Sequence, residues 1–223
     1  MARREKFKKD HKPSSTRWLQ RQMADTYVDQ AKAKGYRARS AFKIIQLDDK
    51  YKFFRPGLTV LDLGAAPGGW SQIAAERVKA KEGKGKVIGI DLLEVEPIMG
   101  AVFLKADMRD PSTDEWIASQ ISKPVDIVLC DMAPNTTGDS ATDHYRIISL
   151  GEVALEVVKK FLRPGGVLVL KLRQGADEQT FMKNLRGLFT KVNRAKPPAS
   201  RQESAEFYVV ASGFKGNGST GSP

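Results

Sequence analysis

The chain has 223 residues, with 37 Lys or Arg against 26 Asp or Glu, a net charge of +11 and a single cysteine. That length suits one α/β domain with a full core and is short for two. Cys130 excludes an intrachain disulfide and, ending an apolar strand, reads as a small buried hydrophobe rather than a nucleophile. No apolar run approaches the ~18 residues of a membrane span. Residues 1–12 are too charged for a secretory signal, and Glu5 and Asp10 argue against a transit peptide. A cytoplasmic protein is expected, and Asn135-Thr136-Thr137 is then a fortuitous sequon.

In chain order, residues 1–14 are rich in Lys and Arg with little apolar content and read as a basic arm, disordered when free. Ser15 or Thr16 caps a short helix opened by Arg17, Trp18 and Leu19, and residues 25–34 form a second helical segment stopped by Gly35. Residues 40–51 place apolar side chains at 41, 42, 44, 45 and 47, a helical face for a sheet, with Arg37, Arg39 and Lys43 near its start. By itself Lys43 reads equally well as a solvated helix lysine. Pro56-Gly57 turns into a strand at 59–63, and residues 70–78 form the next helix.

Apolar runs at 86–91, 102–107 and 125–131 each end in aspartate, with a helix at 114–122 between the last two. In an open parallel sheet the carboxyl ends of strands border the ligand crevice, so Asp91, Asp107 and Asp131 are expected at one site. Any one of them could instead begin a turn or cap a helix. A polar loop at 133–139 leads to a long helix at 144–161, closed by Arg163-Pro164-Gly165-Gly166. The buried strand at 167–172 carries one charge near its far end, Lys171. A helix at 177–188, a final pair of strands at 191–196 and 207–211, and a flexible tail at 214–223 complete the chain.

Between the first strand and its helix lies Asp62-Leu-Gly-Ala-Ala-Pro-Gly-Gly-Trp-Ser-Gln72, a loop of small residues able to bring backbone against a ligand. A dinucleotide fingerprint needs glycine where Ala66 stands, and a phosphate-cradling P-loop needs Lys-Ser/Thr where Trp70-Ser71 stand. What remains is a ligand loop without a pyrophosphate contact, followed about 20 residues on by an acid, Asp91, suited to ribose hydroxyls. S-adenosylmethionine, a nucleoside without a diphosphate, fits both facts.

This loop closely resembles the cofactor motif of the FtsJ/RrmJ/RlmE family of ribose 2′-O-methyltransferases, and the resemblance extends from about residue 15 to 213. It implies a Rossmann-like α/β fold with a seven-stranded sheet, mostly parallel with one antiparallel strand. It also implies a catalytic tetrad of Lys43 in Ala-Phe-Lys, Asp131 in Asp-Met-Ala-Pro-Asn, Lys171 in Leu-Lys-Leu-Arg-Gln-Gly and Glu206 in Glu-Phe-Tyr-Val-Val. In the family pattern Lys171 accepts the proton, Asp131 and Glu206 orient it and the ribose, and Lys43 adds positive charge. A lysine of modestly lowered basicity is therefore expected at 171. The resemblance places Gly68 and Trp70 near the methionine part of S-adenosylmethionine, Asp91 on its ribose hydroxyls and Asp107 near adenine, with Gly64 and Asp131 also among the cofactor-binding residues. No metal is expected. Arg173 departs from the aromatic residue that bacterial members often carry there, which bears on local substrate contacts.

Residues 1–43 hold thirteen Lys or Arg against four acids, and from Lys183 to Arg201 six basic residues occur with no acid between them. Two basic zones flanking a nearly neutral cofactor domain suit a phosphate backbone. The expected partner is RNA; the resemblance, which includes the Thr16-Arg17-Trp18-Leu19 opening, implies 23S rRNA of the large ribosomal subunit, modified at a uridine ribose, and a monomer is expected. The competing readings are a tRNA ribose methyltransferase, a non-catalytic ribosome-assembly factor and, disfavoured by Ala66, a nicotinamide-dependent oxidoreductase.

Overall fold

The computed structural model describes residues 25–134, 137–201 and 204–216; the expected arm, the first short helix, the sequon asparagine and most of the tail lie outside them. Two helices come first. Helix α1 (Thr26–Ala33) is capped by Asp25, whose carboxylate accepts from the Tyr27 amide. Helix α2 (Ala41–Tyr51) ends at Lys52 in the left-handed conformation. Then strands and helices alternate: β1 (Thr59–Leu63), α3 (Gly69–Arg77), a 3₁₀ turn (Ala80–Glu82), β2 (Lys86–Asp91), β3 (Ala101–Lys105), α4 (Pro111–Gln120) and β4 (Val125–Cys130). The chain closes with α5 (Ser140–Phe161), β5 (Leu162–Arg173), α6 (Glu178–Leu188), β6 (Phe189–Ala195) and β7 (Glu206–Phe214).

The seven strands form one sheet in the order β3-β2-β1-β4-β5-β7-β6. Strand β7 runs antiparallel to both of its neighbours, and the other pairings are parallel, as expected. Several elements start earlier than their apolar pattern suggests, each for a local reason. Helix α4 begins at Pro111 because Asp110 accepts from the Ser112 amide and proline needs no donor at the first helical position. Helix α5 begins at Ser140 because Asp139 accepts from the Thr142 amide, giving it a polar opening turn that apolar periodicity misses. Strand β5 starts at Leu162, which pairs with Val125 across an irregularity in register. Strand β3 ends at Lys105, so Asp107 lies in the turn beyond it rather than on the strand.

Alternation along the strands divides the core into two layers. Leu61, Ile88, Val128, Leu168 and Val209 face α4, α5 and α6, where Ile117, Val158 and Leu185 meet them. Val60, Val87, Leu129, Val169 and Val210 face α2 and α3, where Ile44, Leu47, Ile73 and Ala74 meet them. Parallel registers carry the strand ends to a common level, with Leu63 paired to Ile90 and Cys130, and Cys130 paired to Leu170. Gly64, Asp91, Asp131 and Lys171 therefore leave the sheet along one rim.

One carboxyl group sits inside the second layer. Asp62 has no exposed surface; its Oδ2 accepts from Ser71 Oγ at 2.5 Å, and its Oδ1 is buried without a partner. Burial pushes this carboxyl up to about 7, against the Ser71 hydrogen bond and with Asp131 and Asp91 adding in the same direction. The folded chain then holds a proton that the unfolded chain has released above its ordinary value of 3.8, so stability falls as pH rises from about 4 to about 7. Integrated over that window the loss is roughly 4 kcal/mol. Asp62→Asn is expected to flatten this slope, so that urea denaturation at pH 5 and pH 8 gives a clearly smaller difference than in the wild type. Equal pH slopes in the two proteins would refute the assignment. At the other end of the packing scale, Ile44→Ala opens the fully buried face of α2 and is expected to cost about 2–5 kcal/mol in the same measurement.

Candidate active site

The loop after β1 is built around close backbone approach. Gly64 has φ 77°, and a Cβ placed there would lie 2.6 Å from Met132 Cγ and 2.9 Å from the Met132 amide nitrogen, so only glycine fits. The Gly64 and Ala65 amides both donate to the Ile90 carbonyl, at 2.9 and 3.1 Å, which ties the loop to the end of β2. Asp91 is fixed by the same device: its Oδ2 accepts from the Ala66 amide at 2.9 Å and its Oδ1 from the Leu93 amide at 2.8 Å. Arg37 staples the loop from outside, donating to the Glu96 and Pro97 carbonyls at 2.6 and 2.7 Å, beside Gly68.

Beside this loop opens a cavity of about 500 Å³, within the usual range for small-molecule sites. Gly64, Asp91, Asp107 and Asp131 line it, together with Met132 and, from α5, Leu150. Asp107 is gripped by Arg109, whose Nε and Nη2 donate at 3.0 and 2.6 Å; these bonds and the Arg109 amide hold its carboxyl down at about 2. Gly68 and Trp70 do not line the cavity. Trp70 is buried behind the loop, donating from Nε1 to the Ser40 carbonyl at 3.0 Å and packing its ring 5.7 Å from that of Tyr208. The side chain of Trp70, expected near the methionine part of the cofactor, is buried and supports the loop from the core.

The four residues of the expected tetrad do converge. Lys171 Nζ lies 3.0 Å from Asp131 Oδ1 and donates to the Asp131 carbonyl at 2.7 Å. Lys43 Nζ lies 3.9 Å from Glu206 Oε2 and donates at 2.9 Å to the Tyr208 hydroxyl, which in turn donates to Asp131 Oδ1 at 3.1 Å. Antiparallel pairing of β5 with β7 creates this proximity, setting Lys171 opposite Tyr208 and Arg173 opposite Glu206. Lys43 arrives from the first turn of α2, which lies on the same face.

Two differences from expectation stand out. Tyr208, fully buried, bridges Lys43 to Asp131 and was not singled out from sequence. The available signal was its spacing: two residues after Glu206 in a strand, it must share that residue's face. The second difference is electrostatic and corrects the expectation of a weakened base at 171. Burial opposes the charge on Lys171, but Asp131 and Glu206 outweigh it and hold its basicity above the ordinary lysine range. Lys43 shifts the other way: burial lowers its basicity and exceeds the pull of Asp131 and Glu206, while Lys171 and Arg39 add repulsion. The two lysines are thus set apart in basicity, Lys171 above the ordinary value and Lys43 below it. Burial first, then Asp131 and Glu206, raise the Tyr208 pKa well above that of an ordinary phenol, so its bridge is a neutral hydroxyl.

Arg173 ends β5 with its Nε buried without a hydrogen bond and its charge felt by Asp143 at the start of α5. It does not line the cavity.

Known proteins match this architecture closely. The chain is 52% identical over 214 residues, covering 95% of it and 88% of the relative, to the ribosomal RNA large subunit methyltransferase E of Paramagnetospirillum magneticum. It is 49% identical over 210 residues, covering 94% and 91%, to the protein of the same description in Acidiphilium cryptum. A crystal structure from Plasmodium falciparum assigned as a ribosomal RNA methyltransferase superposes with a TM-score of 0.73 at 30% identity, over 80% of this chain and 98% of that one. The family model described as FtsJ-like methyltransferase matches residues 36–214, spanning the glycine loop, both lysines and both tetrad acids, and the chain belongs to that family.

Proposed function

We propose that this enzyme transfers a methyl group from S-adenosylmethionine to a ribose 2′-hydroxyl, most specifically of a uridine in 23S rRNA of the large ribosomal subunit. The observation that carries the reading is the cluster of Lys43, Asp131, Lys171, Glu206 and Tyr208 beside an acid-lined cavity. The relatives described as large-subunit methyltransferases support the choice of RNA.

The cavity suits the cofactor on charge. Three aspartates outnumber the two arginines of the lining, Arg109 and Arg146, and the glycine loop has no phosphate cradle, which favours a ligand bearing ammonium and sulfonium groups over a dinucleotide. Asp91 is oriented for ribose hydroxyls, Asp107 for the adenine end, and Gly64 and Asp131 for the methionine end, with Gly68 and Trp70 shaping the loop behind. When bound, S-adenosylmethionine supplies an electrophilic methyl group on a positively charged sulfur.

The chain's own residues then position the acceptor and manage its proton. Charged Lys171, anchored by Asp131, stabilises negative charge developing on the 2′-oxygen. Lys43, the amine most readily deprotonated, accepts the hydroxyl proton, and Glu206 stabilises the resulting ammonium. A single catalytic domain over 15–213, with the basic arm 1–14 and tail 214–223 as appendages, acts as a cytoplasmic monomer in this reading. Among the described residues no helix is long and apolar enough to cross a membrane.

The reading is tested by transfer of labelled methyl groups to undermethylated large subunits and, in parallel, to tRNA, with the modified nucleotide mapped. Label in a 2′-O-methyl uridine of 23S rRNA is expected; label confined to tRNA, or none, overturns it. Lys171→Met is expected to lower the rate by about 10²–10³-fold while calorimetry shows S-adenosylmethionine binding unchanged. Because Lys43 is shifted below and Lys171 above the ordinary lysine value of 10.5, the rate should rise with pH as Lys43 deprotonates and fall at more alkaline pH as Lys171 does. Lys43→Met should abolish the rising limb. A wild-type rate that does not change with pH, or a rising limb that survives Lys43→Met, would exclude these roles.

A further inference from the structure

At the end of the sheet opposite the tetrad, where α2 runs out, lies a second cleft of about 320 Å³. Its floor is apolar, built from Leu58, Ile127, Val167 and Val210, and Tyr51 and Asn193 stand at its sides. Four cations, Lys52, Arg55, Arg163 and Lys191, stand around it against one carboxylate, Asp126. That carboxylate is not open to a ligand: it is buried, its Oδ2 accepting from the Thr59 amide at 2.8 Å and its Oδ1 from Arg163 Nε at 2.6 Å. The side chains of Lys52, Arg55 and Lys191 are exposed and make no hydrogen bond or ion pair among the described residues. Three exposed cations above an apolar floor with an aromatic edge is the chemistry of a single-stranded nucleic-acid site, where phosphates meet the cations and bases lie on apolar or aromatic surface.

The edge strand β6 connects this cleft to the tetrad. Its Lys191 pairs with Ser212 at the cleft, and its Ala195 pairs with Tyr208 at the catalytic end. Four residues of strand span about 13 Å, the scale of a short run of nucleotides. Lys191, Asn193 and Ala195 share the face that carries both the cleft and the tetrad. Arg194 turns to the opposite face, onto Glu178 and the ring of Phe207, and takes no part.

We propose that this cleft holds a single-stranded flank of the same RNA whose ribose enters the tetrad, its phosphates lying on Lys52, Arg55, Arg163 and Lys191. The proposal rests on RNA being the substrate. A free nucleotide would need cations at the cleft alone, whereas an edge strand whose Lys191 and Asn193 lead from the cleft toward Ala195 at the catalytic end suits a continuous chain.

The test compares the wild type with a full-length Lys52→Glu, Arg55→Glu, Lys191→Glu variant, Arg163 being left in place because it holds Asp126. A control triple, Lys81→Glu, Lys84→Glu, Lys123→Glu, carries the same change of net charge on surface outside the cleft. The cleft variant is expected to raise KM for the RNA-bearing substrate at least about tenfold and to lower the slope of log affinity against log salt by about 2, as loss of three single-strand phosphate contacts requires. Its kcat at saturating RNA and its affinity for S-adenosylmethionine should match the wild type, which also reports an intact fold. Unchanged RNA affinity and salt slope in the cleft variant would overturn the proposal, as would an equal loss in the control triple. Absence of RNA methylation by the wild type would instead overturn the substrate reading itself.

Discussion

Asp131 is the constraint from which the rest of the site follows. Its carbonyl and one carboxylate oxygen both meet Lys171, and the same oxygen accepts from Tyr208, which receives the Lys43 ammonium. Burying two lysines side by side is costly unless carboxylates and directed hydrogen bonds offset it. Asp131 and Glu206 do so unequally: Lys171 receives direct contacts from Asp131, while Lys43 stands 3.9 Å from Glu206 and reaches Asp131 only through a phenol. Two chemically identical side chains are thereby driven apart in basicity, the general way in which a site separates its acid from its base.

That contact exists because of register. In the parallel part of the sheet, Cys130 pairs with Leu170, so the residues that follow, Asp131 and Lys171, emerge together. Antiparallel β7 then brings Tyr208 and Glu206 back against the same rim from the opposite direction. A shift of one residue in either pairing would send these side chains to the other face of the sheet, into the aliphatic layer under α5 and α6.

The electrostatic plan divides the molecule. Asp91, Asp107 and Asp131 stand in the cavity beside Arg109 and Arg146, while Lys191 on the edge strand and Lys52 at the end of α2 face solvent without an ion pair among the described residues. The cation-rimmed cleft thus lies at one end of the sheet, and at the other the tetrad stands beside the cavity. The loop between them is rigid for a steric reason: Gly64 leaves no room for a side chain against Met132, and Trp70 braces the loop from behind.

Much of this was legible in the chain itself. Strands β1 and β2 can be bounded to the residue because a continuous apolar run ends at an aspartate or a glycine, and alternating strands and helices with a closing pair of strands indicate the sheet's class. The glycine loop and the order of Lys43, Asp131, Lys171 and Glu206 carry the resemblance to the FtsJ-like methyltransferases, because these motifs are local runs of sequence. Tertiary structure alone decided how they meet. Whether Lys171 or Lys43 yields its proton depends on angstrom-scale distances to carboxylates from other strands, and linear spacing says nothing of these. The side to which Trp70 turns and the role of Tyr208 were settled likewise, because both follow from packing between distant segments rather than from any preference of the residue where it stands.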